Sequence, residues 1–287
     1  MTEHATRYAV MFDRFRAAGA GAFVPFMMLG DPTPDASLAV VDALVAGGAD
    51  AIEVGIPFSD PVADGPVIQR ASARALAAGM TTTGAFELIA AIRTRHPALP
   101  IGVLTYANLV AQRGIANFCN ALADAGADSL LVADVPGVEI APFARAARNA
   151  GLAPILVVPP NATDATFASL AQWGRGYTYV LGRAGVTGAD TAMHAPAADL
   201  IAKLREVGAP PPLIGFGIST PEHVRQAIAA GAAGAIAGSA VVAIVERHGD
   251  DPLSCAAALT DFAATMVRAA RRKDGVLPAG SGAISFR

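Results

Sequence analysis

The chain has 287 residues, 53% of them hydrophobic and 16% charged, with 21 basic against 24 acidic side chains and a formal net charge of −3. That is enough apolar material for one large α/β domain or two small ones. The only basic cluster, Arg271-Arg272-Lys273, is too short to bind nucleic acid and is read as solvating a helix end.

In chain order, Thr6 to Ala18 has Val10, Met11 and Phe15 at helical spacing, which predicts a leading helix laid over something apolar. Ala22 to Leu29 is a continuous apolar run, as expected of a strand buried on both faces. A turn over Asp31 to Asp35 leads to a helix over Ser37 to Ala46 that stops at Gly47-Gly48. Ala51 to Val54 reads as the second strand, then Val67 to Ala78 and Thr83 to His96 as helices. Strands follow over Ile101 to Tyr106, Ser129 to Ala133, Ala153 to Val158 and Tyr177 to Leu181. Helices over Ile115 to Ala125, Pro142 to Ala150 and Asp164 to Gln172 separate them. A glycine-rich loop, Gly182 to Gly188, precedes a helix near Ala197 to Glu206. Leu213 to Phe216 and Ala235 to Ala237 complete the strands, with a helix over Pro221 to Ala230 between them and a long one over Pro252 to Arg272 after them.

Eight short apolar strands, each followed by a helix and with no polar linker between them, predict one (β/α)8 TIM barrel with an extra N-terminal helix. The barrel is expected over residues 1–273, and the unpatterned tail, 274–287, is expected to be disordered. An open doubly wound sheet fits less well, because the alternation shows no reversal.

Ala227 to Val245 carries no charge and has the length of a membrane span, but Gly231, Gly234 and Gly238 break it up. It reads as a helix end, a buried strand and a helix start, so no membrane is expected. The N-terminus has no signal-peptide apolar core. Cys119 and Cys255 form no CxxC pair and the five histidines have no ligand spacing, which points to a reducing cytoplasm and no metal site.

Strand ends carry the chemistry in such barrels. Glu53 lies between apolar neighbours on the second strand, where an unpaired carboxylate is costly and its pKa rises. A stiff loop follows, with Pro57, Asp60, Pro61, Asp64 and Pro66. Two carboxylates in unlike surroundings can divide acid–base work, although a structural Glu beside turn-forming aspartates fits this stretch equally well. Tyr179 on the sixth strand is placed to orient an acid or a substrate, or simply to fill the core. Glycine-rich ends follow the sixth, seventh and eighth strands, and Ser239 opens a helix, so a phosphate-bearing substrate is expected there. No lysine sits at a strand end to form a Schiff base.

The motifs FVPFMMLGDP (23–32), EVGIPFSDPVADGP (53–66), YANLV (106–110), VADVP (132–136), GRGYTYVL (174–181), GVTGA (185–189), GFGIS (215–219) and GAIAGSAVV (234–242) follow one another in this order. Across about Phe12 to Ala270 the chain resembles the α subunit of tryptophan synthase. The resemblance implies retro-aldol cleavage of indole-3-glycerol phosphate to indole and glyceraldehyde 3-phosphate. It implies Glu53 as the acid/base at indole C3, Asp64 as the acid bonding the indole N–H, and Tyr179 as the tyrosine beside the glutamate. Phe26 and Phe216 are then expected to line the indole pocket, and Thr187 to close over the substrate. Gly188, Gly217, Gly238 and Ser239 are expected to hold the phosphate. A PLP-bearing β subunit in an α2β2 complex is implied as partner, met by a face including Pro57, Asp60, Asn108, Asp134 and Pro136. PLP is expected in that partner and no cofactor in this chain. Gly182 and Ala184 stand where the family commonly has serines.

Two other readings share these residues in different ways. A stand-alone lyase releasing free indole uses the same acids. A non-catalytic regulatory subunit predicts loss of Glu53 or Asp64, and both are present.

Overall fold

The computed structural model describes residues 6–181 and 196–271. The predicted tail and the loop holding Gly182, Ala184, Thr187 and Gly188 lie outside the described residues. The chain opens with α1 (Arg7–Ala18), β1 (Ala22–Met28), α2 (Pro34–Ala46), β2 (Ile52–Gly55), α3 (Pro66–Ala77) and α4 (Thr82–Arg95). There follow β3 (Ile101–Thr105), α5 (Ala107–Arg113), α6 (Ile115–Asp124), β4 (Ser129–Val132), α7 (Ile140–Asn149), β5 (Ala153–Pro154) and β6 (Leu156–Val158). It continues through α8 (Asp164–Trp173), β7 (Thr178–Val180), α9 (Pro196–Glu206) and β8 (Pro212–Ile214). The last elements are α10 (Pro221–Ala229), β9 (Gly234–Ala237), α11 (Ser239–His248) and α12 (Pro252–Arg271).

All strand pairs are parallel, in the order β5-β4-β3-β2-β1-β9-β8-β7-β6. The two ends of that order, β5 and β6, are the halves of the single fifth strand expected over Ala153 to Val158. The first half pairs with β4, the second with β7, and only Ile155 lies between them. The sheet therefore closes into a barrel at Ile155, whose N–H donates to the Leu130 carbonyl at 2.9 Å. Pro154 cannot donate to a ladder, which suits a strand that changes partners at that point.

Helix starts follow local chemistry. The side chains of Thr6, Thr33, Thr81, Thr163 and Thr220 each accept a first-turn N–H, and prolines open α2, α3 and α10. Helix α7 starts at Ile140, ahead of the predicted Pro142, because a proline is tolerated throughout a first turn whose N–H groups have no internal acceptor. Helix α5 was not foreseen. It is short, and its first N–H, at Ala107, donates to Asp134 from the loop after β4 at 2.7 Å.

Helix α1 covers the N-terminal end of the barrel, burying Tyr8, Met11, Phe12 and Phe15. Its Tyr8 hydroxyl lies 3.0 Å from that of Ser129, at the start of β4. Arg7 and Arg93 close the same end by sharing Asp128. Helix α1 and these ion pairs thus cover the end opposite the C-terminal ends of the strands. Among the described residues no single helix is long and apolar enough to cross a membrane.

Candidate active site

A cavity of about 320 Å³ opens at the C-terminal ends of the strands, with walls that are mostly apolar. Glu53 lies at its floor, 1% exposed, in register with Phe26 on β1 and Gly102 on β3. One carboxylate oxygen, Oε1, accepts a hydrogen bond of 2.5 Å from the Tyr177 hydroxyl. The other, Oε2, is buried and has no hydrogen-bond partner among the described residues. Burial pushes the Glu53 carboxyl up to about 7, and the Tyr177 hydroxyl draws it partly back. A side chain that holds or releases a proton near neutrality thus faces the cavity.

Behind Glu53 the hydroxyls continue downward. The Tyr177 ring meets Tyr8 edge-on at 5.5 Å, and Tyr8 reaches Ser129. A Cβ at Gly102 would lie 2.9 Å from the Tyr8 hydroxyl and 3.0 Å from Ser129 Oγ, so only glycine leaves these groups room.

Asp64 comes from the loop after β2, and its Oδ2 accepts a 2.8 Å bond from the Tyr106 hydroxyl at the end of β3. Burial raises the Asp64 carboxyl above the usual range, and Tyr106 opposes that shift. Tyr106 is itself fixed by stacking on Phe58, with ring centroids 5.2 Å apart. The loop is joined to the next helix where Gln69 Nε2 donates to the Asp64 carbonyl at 2.8 Å.

The structure brings Phe26, Glu53, Asp64, Tyr179, Phe216, Gly217, Gly238 and Ser239 to one cavity. Tyr179 lines the same cavity as Glu53 without bonding to it. Its hydroxyl donates to the Gly215 carbonyl at 2.9 Å, and the tyrosine bonded to Glu53 is Tyr177. Tyr177 and Tyr179 alternate with Thr178 and so point to the same inner face, but Tyr177 sits one layer deeper, level with the carboxylate. That two-residue spacing was the available signal for Tyr177. Tyr106 was recognisable as a strand-end residue, but its bond to Asp64 was not. Ser219, which also lines the cavity, was missed. Its N–H donates to His223 Nδ1 at 3.3 Å, and its place at the end of the GFGIS motif was the available signal.

The opposite wall is backbone. Gly215, Phe216 and Gly217 follow β8, and Gly238 and Ser239 open α11. A side chain at Gly215 would overlap the Tyr179 ring. The positive end of α11 favours an anion here. Of the expected contact face, Asp60, Asn108, Asp134 and Pro136, which follow β2, β3 and β4, are exposed, whereas Pro57 is buried. Among the described residues no cluster of His, Cys, Asp or Glu is arranged to hold a metal.

Residues 12–271 match the family described as tryptophan synthase alpha chain. The tryptophan synthase alpha chain of Shewanella oneidensis is 58% identical over 262 residues, covering 91% of this chain and 94% of that protein. Tryptophan synthase of Mycobacterium tuberculosis contains a chain with a TM-score of 0.83 and 30% identity, covering 94% of this chain and 100% of that one. A chain in the tryptophan synthase complex of Pyrococcus furiosus gives a TM-score of 0.77 at 30% identity, covering 87% and 98%.

Proposed function

The chain belongs to the tryptophan synthase alpha chain family, and on that premise we propose how its own residues perform the reaction. The substrate is indole-3-glycerol phosphate, bound with its indole between Phe26 and Phe216 and its phosphate at Gly217, Gly238 and Ser239. Thr187 and Gly188 complete that end in this reading. Glu53 gives its proton to indole C3, and Asp64 stabilises the positive charge that develops at the ring nitrogen. Glu53, now ionised, takes the proton of the side-chain hydroxyl. The C–C bond then breaks, its electron pair restores the aromatic indole, and glyceraldehyde 3-phosphate leaves as the aldehyde.

The observation that carries this reading is the unpartnered Oε2 of Glu53, buried at the floor of the cavity on a carboxyl raised to about 7. A group that must donate and then accept one proton works best with a pKa near the working pH. Tyr179, held by Gly215, is read as a wall that keeps the indole over Glu53.

The same reading assigns a β subunit as partner, in an α2β2 assembly, at the rim carrying Asp60, Asn108, Asp134 and Pro136. PLP belongs to that partner, and this chain works through its own carboxylates. Two free, buried cysteines accord with a cytoplasmic setting. The test is indole release from indole-3-glycerol phosphate by the purified chain, with and without a PLP-bearing β subunit. Slow release alone, strongly raised by the partner, is expected. Fast release indifferent to the partner makes this a stand-alone lyase, and no release in either case overturns the reading.

A further inference from the structure

Helix α3 starts directly after Asp64, with Gly65 as its N-cap, and its Ile68 lines the cavity. Helix α11 starts at Ser239, and Ser239 and Ala240 line the other side. Farther along, the two helices are tied together. Arg70 and Arg74, four residues apart on one face of α3, both reach Glu246 on α11. Arg70 grips both carboxylate oxygens at 2.7 and 2.8 Å, and Arg74 Nη1 adds a third bond at 2.8 Å. Arg74 turns its remaining donors to Asp31, at 2.8 and 3.0 Å. Asp31 is 2% exposed and lies just beyond the end of β1, the strand that carries Phe26.

Fold stability alone does not account for this arrangement. Partly exposed pairs such as Arg70–Glu246 contribute little on their own. Buried Asp31 needs Arg74, because an unpaired carboxylate there would be costly. Arg74 is therefore fixed from the barrel side through Nε and Nη2 and holds Glu246 through Nη1. The result is a continuous hydrogen-bonded link from the end of β1 through α3 to α11, between the helix that follows the acid loop and the helix that opens the glycine wall.

We propose that the Asp31–Arg74–Glu246–Arg70 network is a strut that sets the spacing between Asp64 and Ser239, making Arg74 and Glu246 positioning residues for a substrate that engages both at once. This rests on the reading that one molecule carries an indole to Asp64 and a phosphate to Ser239. For such a molecule, binding one end makes engagement of the other intramolecular, and the gain depends on the spacing being right. Loosening the strut weakens the two-ended ligand and spares a ligand that uses one end.

The test compares the full-length chain with E246Q and E246D. Hydrogen exchange is read first over residues 61–72 and 236–246, which needs no turnover and so stands even if the wild type releases no indole. Faster exchange in both segments of E246Q is expected, and unchanged exchange in either overturns the strut. In kinetics, E246Q is expected to raise KM for indole-3-glycerol phosphate about five- to tenfold, with kcat within about twofold. Affinity for glycerol 3-phosphate, which lacks the indole, should stay within about twofold, and E246D should recover most of the loss. An unchanged KM, or glycerol 3-phosphate affinity falling in step with KM, overturns the proposal.

Discussion

On the acid side of the cavity, Glu53 and Asp64 are each held by a tyrosine hydroxyl, Tyr177 and Tyr106, whereas the wall after β8 and β9 is glycine backbone ending in Ser239. In the proposed reading one side works through titrating side chains whose surroundings set their proton affinity. The other works through N–H groups and a helix end, which carry no proton to exchange. The two carboxylates also differ from each other. Glu53 sits on a strand with an idle oxygen, and Asp64 on a loop with part of its surface open. Burial raises both carboxyls, Glu53 to about 7, and in the proposed reading Glu53 carries the proton while Asp64 stabilises charge.

The largest effect should come from Glu53→Gln, which removes the proton carrier but keeps the shape. Indole formation should fall by roughly a thousandfold or more. Its stability should move the other way. Because the folded pKa of about 7 lies above the ordinary 4.5, the folded chain holds a proton that the unfolded chain has lost in that window. The contribution of Glu53 is therefore fully present below about pH 4.5 and lost as the pH rises through 7. Relative to wild type, the variant should be more stable at pH 8 by up to roughly 3 kcal/mol, and this gain should vanish at pH 4, as read by urea unfolding.

On the backbone side, Gly215→Ala drives a methyl into the Tyr179 ring, which must leave the cavity wall. Activity should fall by about a hundredfold while the fold survives, checked by kcat/KM beside circular dichroism. Tyr106→Phe removes one hydrogen bond from Asp64 and should cost about tenfold in kcat. If Gly215→Ala proves harmless and Tyr106→Phe severe, the division between a side-chain half and a backbone half is wrong.

Much of this was legible in the sequence. The alternation of apolar strands and helices exposes the barrel, because strands buried on both faces leave unbroken apolar runs. Glu53 stood out as a carboxylate in such a run, and Ser239 as a polar residue opening a helix after glycines. What stayed hidden depends on contacts between distant residues. Tyr177 meets Glu53 across 124 positions, and Arg70 meets Glu246 across 176. No periodicity records which of two inner-facing tyrosines is level with the acid. The break at Ile155 was hidden for a similar reason: an apolar run does not show where a strand changes neighbours.

The most direct test is to titrate Glu53 itself, by following the infrared band of its protonated carboxyl in the wild type and identifying it by its absence in Glu53→Gln. A midpoint near pH 7 is expected, moving upward in Tyr177→Phe as the bond favouring the ionised form is lost. A midpoint near 4.5, unmoved by Tyr177→Phe, would contradict a buried proton carrier at the floor of the cavity.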